Sequence, residues 1–300
     1  MQYRELGKTG LKASVIGVGT WQFGGEWGRD YTLPEAEAIL GRARDLGINL
    51  IDTAECYGPD HLSESLIGRA LGGRREHWIL ATKFGHEYRG YNRRDTAWSP
   101  AEVIAQLEAS LSALRTDHVD LYQFHSGNDE EFFREDLWQA LNNQVKAGKI
   151  RHLGVSISSQ GENLAQVEAC GRFGISAVQL VYNRLDRLPE ARVLPACASQ
   201  GLGVLARVPL ASGYLSGKYK PGHVFPSGDV RASHNPDKAR ARIEAAIAIG
   251  RDEVPAGVDM AQWALAWCLR RPEVTAVIPG CKDPEQVERN AAAADLVAGP

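Results

Sequence analysis

The segment GVGTWQFGG, residues 17–25, contains the end of the first apolar run of the chain and decides between two α/β folds. Short apolar runs alternate with amphipathic stretches along the whole sequence, a pattern typical of parallel strands covered by helices. An open doubly wound sheet would require a glycine-rich turn of the form GxGxxG between its first strand and the following helix. Residues 17–25 do not match that form, so the sequence favours a closed barrel.

The number of apolar runs also agrees with a barrel. Eight runs separated by helical patterns predict a (β/α)8 TIM barrel formed by residues 1–300 as a single domain. The opening segment YRELGKTGLKASVIG turns at residues 8–10 and predicts a β-hairpin that closes the barrel floor. The runs are VIGVG (15–19), NLID (49–52), WILATK (78–83), VDLYQF (119–124), IRHLGVS (150–156), AVQLV (177–181), GVLARV (203–208) and VTAVI (274–278).

Two helical segments and one long loop carry clear local signals. In PEAEAILGRARDLG the apolar residues recur at helical spacing, and Gly47 stands where a C-terminal cap is expected. Ser99, Pro100 and Glu102 form the pattern of a capping box at the start of another helix. A segment rich in Gly, Pro and Ser, from about residue 209 to residue 235, follows the seventh run. A loop of this length inside a compact domain is usually functional.

Composition and charge argue against several classes of protein. The formal net charge is −3 with both signs interspersed, which does not indicate a nucleic-acid-binding face. The polar start MQYRELGKTG lacks the apolar core of a signal peptide, and no run approaches the roughly 18 apolar residues of a membrane span. The five cysteines are scattered and form no CxxC pair, which favours a reducing cytoplasm. We therefore expect a cytoplasmic protein without a metal, either a monomer or a weak homo-oligomer.

Side chains capable of proton chemistry follow three consecutive predicted strands. The stretch IDTAECYG (51–58) places Asp52 and Tyr57 after the second strand, Lys83 ends the third, and His125 follows the fourth. Each alone has an ordinary interpretation, since Asp and Tyr are common in turns and a lysine or histidine at a strand end is often simply solvated. In a barrel, however, the carboxyl ends of the strands meet at one rim, where catalytic residues gather. Together the four residues predict an active site.

The sequence resembles the aldo-keto reductase family from about residue 6 to residue 290. The matching motifs keep the family's order and spacing: GKTGLKASVIGVGTWQFGG, IDTAECYG, ATK, the histidine of LYQFHSG, GVS, VQLVYN, PLASGYLSGKY and IPGCKDPEQVERN. The resemblance implies NAD(P)H-dependent reduction of small aldehydes and ketones to alcohols. It also implies that Tyr57 is the general acid, that Asp52 and Lys83 tune it, and that His125 orients the substrate carbonyl.

The chemistry of these residue types is consistent with the implied roles. An ordinary tyrosine has a pKa near ~10, and a nearby ammonium such as that of Lys83 lowers it. Asp52 would keep Lys83 charged and in place. Hydride delivery to a carbonyl carbon leaves negative charge on the oxygen, which Tyr57 and His125 can meet with hydrogen-bond donors.

The resemblance implies a place for the nicotinamide end of the cofactor. Ser156 and Gln179 would hold the carboxamide, but Ile157 stands where the family usually has asparagine, so Asn183 is an alternative partner. Arg207 stands near a position that is often aromatic in the family and stacks on the nicotinamide. Its planar guanidinium either stacks there or turns away to pair with an acid.

The resemblance also implies where the phosphates bind. Backbone N–H groups of the PLASG turn would face the pyrophosphate, and Lys218 either adds charge there or is an ordinary solvated lysine. Asp283 precedes Pro284 as the N-cap of a helix whose N-terminus attracts phosphate, and Lys282 suits the 2′-phosphate of NADPH. We therefore expect NADPH in preference to NADH. The full set of expected cofactor residues is Gly19, Thr20, Trp21, Ser156, Gln179, Arg207, Pro209, Leu210, Ser212, Gly213, Leu215, Lys218, Gly280, Lys282, Asp283, Gln286 and Asn290.

An apolar substrate pocket is expected above the four catalytic residues. Trp21, Trp27, Tyr88 and Trp98 would line it, although each also suits ordinary core packing.

Two other functions remain open from the sequence. One is a cofactor-binding, redox-sensing subunit of a larger assembly with little turnover, which an intact set of catalytic residues does not exclude. The other is a metal-dependent barrel hydrolase that uses His61, His86, His125 and Asp52. The histidines lack the H-x-H or H-x-x-x-H spacing of a zinc site, so the hydrolase is not favoured.

Overall fold

Residues 1–158 and 163–297 are described by the structure, which is a computed structural model. The strands of this part of the chain are β1 (Tyr3–Glu5), β2 (Lys12–Ser14), β3 (Val18–Gly19), β4 (Leu50–Asp52), β5 (Ile79–Phe84), β6 (His86–Gly90), β7 (Arg93–Thr96), β8 (Val119–His125), β9 (Ile150–Ser156), β10 (Ile175–Val181), β11 (Gly203–Arg207) and β12 (Ala276–Val277). The α-helices are α1 (Leu33–Asp45), α2 (Leu62–Ala70), α3 (Pro100–Leu114), α4 (Asp129–Phe132), α5 (Glu135–Lys146), α6 (Leu164–Glu168), α7 (Cys170–Phe173), α8 (Val193–Gln200), α9 (Pro236–Asp252), α10 (Met260–Leu269) and α11 (Pro284–Ala292).

A parallel sheet of eight strands closes into a barrel. Among the described residues its strands follow the order β12-β11-β10-β9-β8-β5-β4-β3. The two edges meet through parallel bridges from Ile16 to Val277 and from Gly19 to Gly280, and the Gly17 amide donates to the Val277 carbonyl at 2.8 Å. Each strand of the sheet overlaps one of the predicted apolar runs. The predicted (β/α)8 barrel is therefore confirmed.

Strands β1 and β2 form the predicted hairpin and close the floor of the barrel. They pair antiparallel, and the following Leu6 is fully buried in an apolar cluster that includes Leu121 and Leu205 of the barrel strands. Gly7 has a φ of +56°, and a Cβ at this position would lie 2.2 Å from the backbone nitrogen of Gly203. The close approach of hairpin and barrel therefore requires glycine at position 7.

The helices surround the barrel, and their ends follow the signals in the sequence. Gly47 has a φ of +78° just after α1, as a C-terminal cap requires. The Ser99 hydroxyl accepts from the Glu102 amide at 3.3 Å and completes the predicted capping box of α3. Thr32 and Glu35 form a second capping box, at α1, that was not predicted. No helix in the described part of the chain is both long and apolar enough to cross a membrane.

Two segments cover the rim at the carboxyl ends of the strands. One is the antiparallel hairpin of β6 and β7, which the sequence predicted only as a loop because its short strands are charged and half-exposed. The other is the long loop after β11. Its residues 228–230 pair with residues 26–28 across the rim. The Gly28 amide donates to the Gly228 carbonyl at 3.0 Å, and the Val230 amide donates to the Glu26 carbonyl at 2.9 Å.

Candidate active site

Lys83 lies at the centre of the candidate active site. It belongs to β5, and its side chain is 1 % exposed. Its ammonium donates to Asp52 Oδ2 at 2.7 Å, to the Thr53 carbonyl at 2.6 Å and to the Tyr57 hydroxyl at 3.1 Å. These three acceptors use the three donors of an ammonium group. The structure thus brings Asp52, Tyr57 and Lys83 together at the rim, as the sequence predicted.

Two amides hold the second carboxylate oxygen of Asp52. Asp52 Oδ1 accepts from Gln179 Nε2 at 2.7 Å and from Gln123 Nε2 at 3.0 Å. Gln123 stands opposite Lys83 in the pairing of β5 with β8. A buried carboxylate is tolerated when its charge is paired and its oxygens are hydrogen-bonded, and both conditions are met here. Gln123 was not predicted, although a polar residue inside the apolar run VDLYQF is a visible signal.

Burial and neighbouring charges set the protonation of the site. Burial raises the pKa of Tyr57, and the Lys83 ammonium lowers it by a smaller amount. The effect of Lys83 therefore has the expected direction, but the desolvation of the phenolate outweighs it in the open cleft. Burial alone would lower the pKa of Lys83, but the charge of Asp52 and the Tyr57 hydroxyl raise it overall. Lys83 is therefore a stable cation.

His125 is the last residue of β8 and lines the same cleft as Tyr57. Its ring centroid lies 6.2 Å from that of Tyr57 in an edge-on arrangement. Burial and then the nearby Lys83 charge hold the pKa of His125 well below its ordinary value. His125 is therefore a neutral imidazole near pH 7, which can donate one hydrogen bond without adding a charge.

A cleft of about 520 Å³ opens above Tyr57 and His125. Trp21 and Trp27 line it, as the sequence predicted, and their rings meet edge-on at 5.2 Å. Trp21 also stacks on Tyr57 with ring centroids 6.0 Å apart. The near end of the cleft therefore has an aromatic wall next to the hydroxyl of Tyr57.

A buried ion pair fixes this aromatic wall to the β6–β7 hairpin. Trp21 Nε1 donates to Glu26 Oε2 at 2.8 Å, and the guanidinium of Arg94 forms an ion pair with the same carboxylate. The Asn92 amide donates to Glu26 Oε1 at 2.7 Å. Glu26 thus joins the loop after β3 to the hairpin over the cleft. None of these polar contacts was predicted, because they depend on how two loops pack.

Tyr88 and Trp98, which were predicted to line the substrate pocket, lie outside the cleft lining. Trp98 is 7 % exposed and packs on Phe124 with ring centroids 4.5 Å apart, which places it in the core between barrel and helices. The ring of Tyr88 lies 4.9 Å from the guanidinium of Arg94. These two aromatics therefore do not line the cleft, because the hairpin turns the chain back and directs Trp98 inward.

One part of the cleft lining is cationic. Lys218, Arg231 and Lys282 all line it. Arg231 is held by Asp229 through two hydrogen bonds of 2.8 and 2.6 Å and lies 4.2 Å above the ring of Phe225. Burial and the charge of Arg231 lower the pKa of Lys282. Cations that repel one another in a cleft favour an anionic ligand. Arg231 was not predicted, and its only signal was its place in the long loop.

Helix α11 begins at this end of the cleft, as predicted. The carboxylate of Asp283 accepts from the Gln286 amide at 2.7 Å and caps the helix. Gln286 Oε1 accepts from the Lys282 amide at 2.8 Å, which positions Lys282 at the helix N-terminus. Both Gln286 and Arg289 line the cleft.

Three expected cofactor residues lie outside the cleft lining, whereas the others line it. Ser156 is buried beneath Gln179, and its hydroxyl is 3.4 Å from the Gln179 side-chain oxygen. Leu215 is fully buried in the apolar cluster beneath the long loop. Asn290 is buried and donates to Cys281 Sγ at 3.4 Å, so it shares no cleft surface with Gln286. Their contact with a cofactor stays a prediction, and the structure places all three behind the surface of the cleft.

Arg207 ends β11 and lines the cleft. Its Nη2 donates to the Ile157 carbonyl at 2.9 Å, and its Nε is buried without a partner among the described residues. One of the two predictions for Arg207 was an ion pair with an acidic side chain. The guanidinium bonds a backbone carbonyl instead. The alternative carboxamide partner, Asn183, instead bonds Asp186 and the Val208 carbonyl.

The four side chains that a metal-dependent hydrolase would need do not gather at one point. His61 Nδ1 lies 2.6 Å from Glu64 Oε2, and Asp52 is bound to Lys83. Each of these two groups therefore already has a charged partner, which argues against their use as metal ligands.

The fold is a parallel (β/α)8 barrel. A buried Lys–Asp pair lies against a tyrosine at its rim, below an aromatic and cationic cleft. This combination defines a class of oxidoreductase. The model of the aldo/keto reductase family matches residues 15–298, and the chain belongs to this family. Members of the family use NAD(P)H.

The relatives cover almost the whole chain. The uncharacterized oxidoreductase YrpG of Bacillus subtilis (strain 168) is 36 % identical over 99 % of this chain and 92 % of its own length. A probable voltage-gated potassium channel subunit beta of Arabidopsis thaliana is 32 % identical, again over 99 % of this chain and 92 % of its own length. Among solved structures, aldo-keto reductase AKR11C1 from Bacillus halodurans (holo form) is 29 % identical, with a TM-score of 0.82, over 100 % of this chain and 92 % of that one.

Proposed function

We propose that this protein is an NADPH-dependent reductase of aldehydes and ketones, acting in the cytoplasm as a single catalytic domain of residues 1–300. The observation that carries the proposal is the contact of 3.1 Å between the Lys83 ammonium and the Tyr57 hydroxyl at the bottom of the cleft. A phenol held by a buried cation is suited to give up a proton. The product of the reaction is the corresponding alcohol.

Each residue of the site has a distinct task in this proposal. The bound nicotinamide supplies the hydride. Tyr57 gives its proton to the carbonyl oxygen, and Lys83 stabilises the negative charge left on the phenol. Asp52 holds Lys83 charged and in position through the 2.7 Å contact. His125, as a neutral imidazole, donates a hydrogen bond to the same carbonyl oxygen and orients it. Trp21 packs against Tyr57 and shields the reacting atoms from water.

The residues of the cleft fit a phosphorylated dinucleotide. Lys218, Arg231 and Lys282 offer positive charge in the cleft lining, beside the N-terminus of α11. Lys282 at a helix N-terminus is suited to the 2′-phosphate that distinguishes NADPH from NADH. Gln179 and Arg207 lie at the near end, where Arg207 Nε is a buried donor without a partner in the described residues. The cleft therefore combines cationic side chains that suit phosphate groups with an aromatic wall beside Tyr57.

Repeated oxidation of NADPH by one protein molecule distinguishes a reductase from the redox-sensing alternative. The purified protein is to be mixed with excess NADPH and a panel of aldehydes and ketones, and the loss of NADPH absorbance followed; parallel reactions contain NADH. We expect many equivalents of NADPH to be oxidised per chain, with a lower KM for NADPH than for NADH. Oxidation of no more than one equivalent per chain with every carbonyl compound would contradict the proposal and favour a sensing role.

A further inference from the structure

Three side chains beside Tyr57 have the geometry of a metal site. Glu55, Cys56 and His125 each offer one ligand atom, and these atoms all lie within 4.8 Å of one another. Cys56 Sγ lies 3.8 Å from His125 Nδ1. Tetrahedral zinc has Zn–S bonds of about 2.3 Å and Zn–N bonds of about 2.0–2.1 Å, which separates sulfur and nitrogen ligands by roughly 3.5 Å. The cysteine and histidine therefore need to move by only a few tenths of an ångström.

The carboxylate of Glu55 gives a second, independent indication of a cation site. Its side chain is 5 % exposed, and one oxygen, Oε1, accepts from the His86 amide at 3.1 Å. The other oxygen, Oε2, is buried without a hydrogen-bond partner in the described part of the chain. A buried acceptor without a partner is destabilising, and a bound cation would satisfy it.

The neighbouring cations do not occupy this carboxylate. Lys83 forms its ion pair with Asp52, and Arg94 forms its ion pair with Glu26. Lys83 and Arg94 are therefore each paired with a carboxylate other than Glu55. Arg207, the third cation near His125, bonds the Ile157 carbonyl.

A metal ion can reach these ligands from solvent. Cys56 and His125 both line the cleft that holds the candidate active site, although Cys56 is only 2 % exposed. An ion that enters by the cleft meets the thiol and the imidazole together. The fourth coordination position then faces the cleft, where water can fill it.

We propose that Glu55, Cys56 and His125 bind a borderline-soft divalent ion such as Zn²⁺, and that the bound ion inhibits the enzyme reversibly. Thiolate and imidazole ligands favour Zn²⁺ over Mg²⁺ and Ca²⁺. On binding, the Cys56 thiol releases its proton and a sulfur–metal bond forms, and nothing is oxidised or reduced. The ion would hold His125 away from the substrate carbonyl. This inhibitory effect rests on the proposed reductase function, whereas the metal site itself does not.

The site is tested first without turnover, by titrating the cofactor-free protein with Co²⁺. A thiolate–Co²⁺ charge-transfer band in the near ultraviolet is expected at one equivalent, and Zn²⁺ but not Mg²⁺ should remove it. Cys56→Ser should lose the band, and Glu55→Gln should weaken Co²⁺ binding by at least about 100-fold, since even outer-shell partners are worth about 10–100-fold in affinity. Cys268→Ser is the matched control. Its thiol is buried and bonds the carbonyls of Tyr182 and Ala264, so the band should persist.

Inhibition is tested in the same proteins during NADPH oxidation. Zn²⁺ should inhibit competitively with the aldehyde and not with NADPH, and a chelator should restore activity. The rate of Cys56→Ser, measured relative to the same variant without metal, should resist Zn²⁺. Absence of a Co²⁺ band in the wild type, or an undiminished band in Cys56→Ser or Glu55→Gln, would overturn the site. A metal-bound protein with unchanged turnover would overturn the inhibition. A metal-binding protein that never oxidises NADPH would leave the site standing and reject the reductase function.

Discussion

Replacing Arg207 by methionine is expected to change how the protein discriminates between NADPH and NADP⁺. Arg207 lines the cleft at the end of β11, and its Nη2 is fixed by the Ile157 carbonyl at 2.9 Å. A guanidinium over the nicotinamide faces a neutral ring in NADPH and a positively charged ring in NADP⁺. Two unit charges about 4 Å apart interact with about 4 kcal/mol at an effective dielectric of about 20, before further screening.

The measurable effect is smaller than this value because the open cleft admits water. If a quarter of the repulsion remains, the wild type disfavours NADP⁺ by about 1 kcal/mol, which is roughly fivefold in affinity. Arg207→Met should therefore bind NADP⁺ about fivefold more tightly relative to NADPH than the wild type does. Arg207→Lys keeps the positive charge and serves as the matched control, since it should retain most of the wild-type ratio. The wild type should also be a poor alcohol oxidant, because the same repulsion favours reduction.

The assay is a fluorescence titration of each protein with NADPH and with NADP⁺ at fixed pH and salt. The quantity compared is the ratio of the two Kd values, which cancels any general weakening of the cleft. An equal ratio in the wild type, Arg207→Met and Arg207→Lys would refute the placement of the guanidinium against the ring.

Three further substitutions test other parts of the structure. Lys83→Met should lower kcat severely. It should also raise the pKa of Tyr57 seen in the pH–rate profile, because the Lys83 ammonium lowers that pKa in the wild type. An unshifted profile in an active variant would contradict the tuning role of Lys83. Lys282→Ala should weaken NADPH roughly tenfold or more and leave NADH unchanged, since a charge-assisted contact contributes about 1.5–3 kcal/mol; equal losses would show that Lys282 does not bind the 2′-phosphate. Gly7→Ala should reduce the free energy of unfolding, measured with denaturant, by about 2–4 kcal/mol through the close contact with Gly203 and the left-handed backbone. Gly10→Ala is its control, with a φ of +74° but nothing within 4 Å of the added Cβ, and should lose less.

The barrel was predictable because strands of a closed parallel sheet are buried on both faces and therefore appear as apolar runs. The caps of α3 and α11 were predictable as well, because a cap depends on residues three positions apart. The β6–β7 hairpin was not, because charged and half-exposed strands of four or five residues give no apolar alternation. Its place over the cleft depends on the distant carboxylate of Glu26.

The sequence was sufficient to place the candidate site at the rim of the barrel. It did not determine the direction in which side chains of the loops point. Asp52, Lys83 and His125 terminate or lie within strands, so barrel geometry alone brings them to one end. Trp98 lies in a loop whose path is set by packing, and its ring turns into the core. Asn290 lies on α11 and is buried against Cys281, whereas Gln286 on the same helix lines the cleft. Such contacts depend on long-range packing, which local spacing in the sequence does not determine.

The reduction of an aldehyde by Tyr57→Phe shows whether the Tyr57 hydroxyl is the proton donor. The substitution removes the hydroxyl that contacts Lys83 and keeps the ring that packs against Trp21. Steady-state reduction and NADPH binding are to be measured on the same preparation. We expect kcat to fall by about 10²–10⁴-fold, the usual effect of losing a general acid, while the Kd for NADPH stays nearly unchanged. A variant that retains the wild-type kcat would rule out Tyr57 as the general acid, because the proton would then have another source.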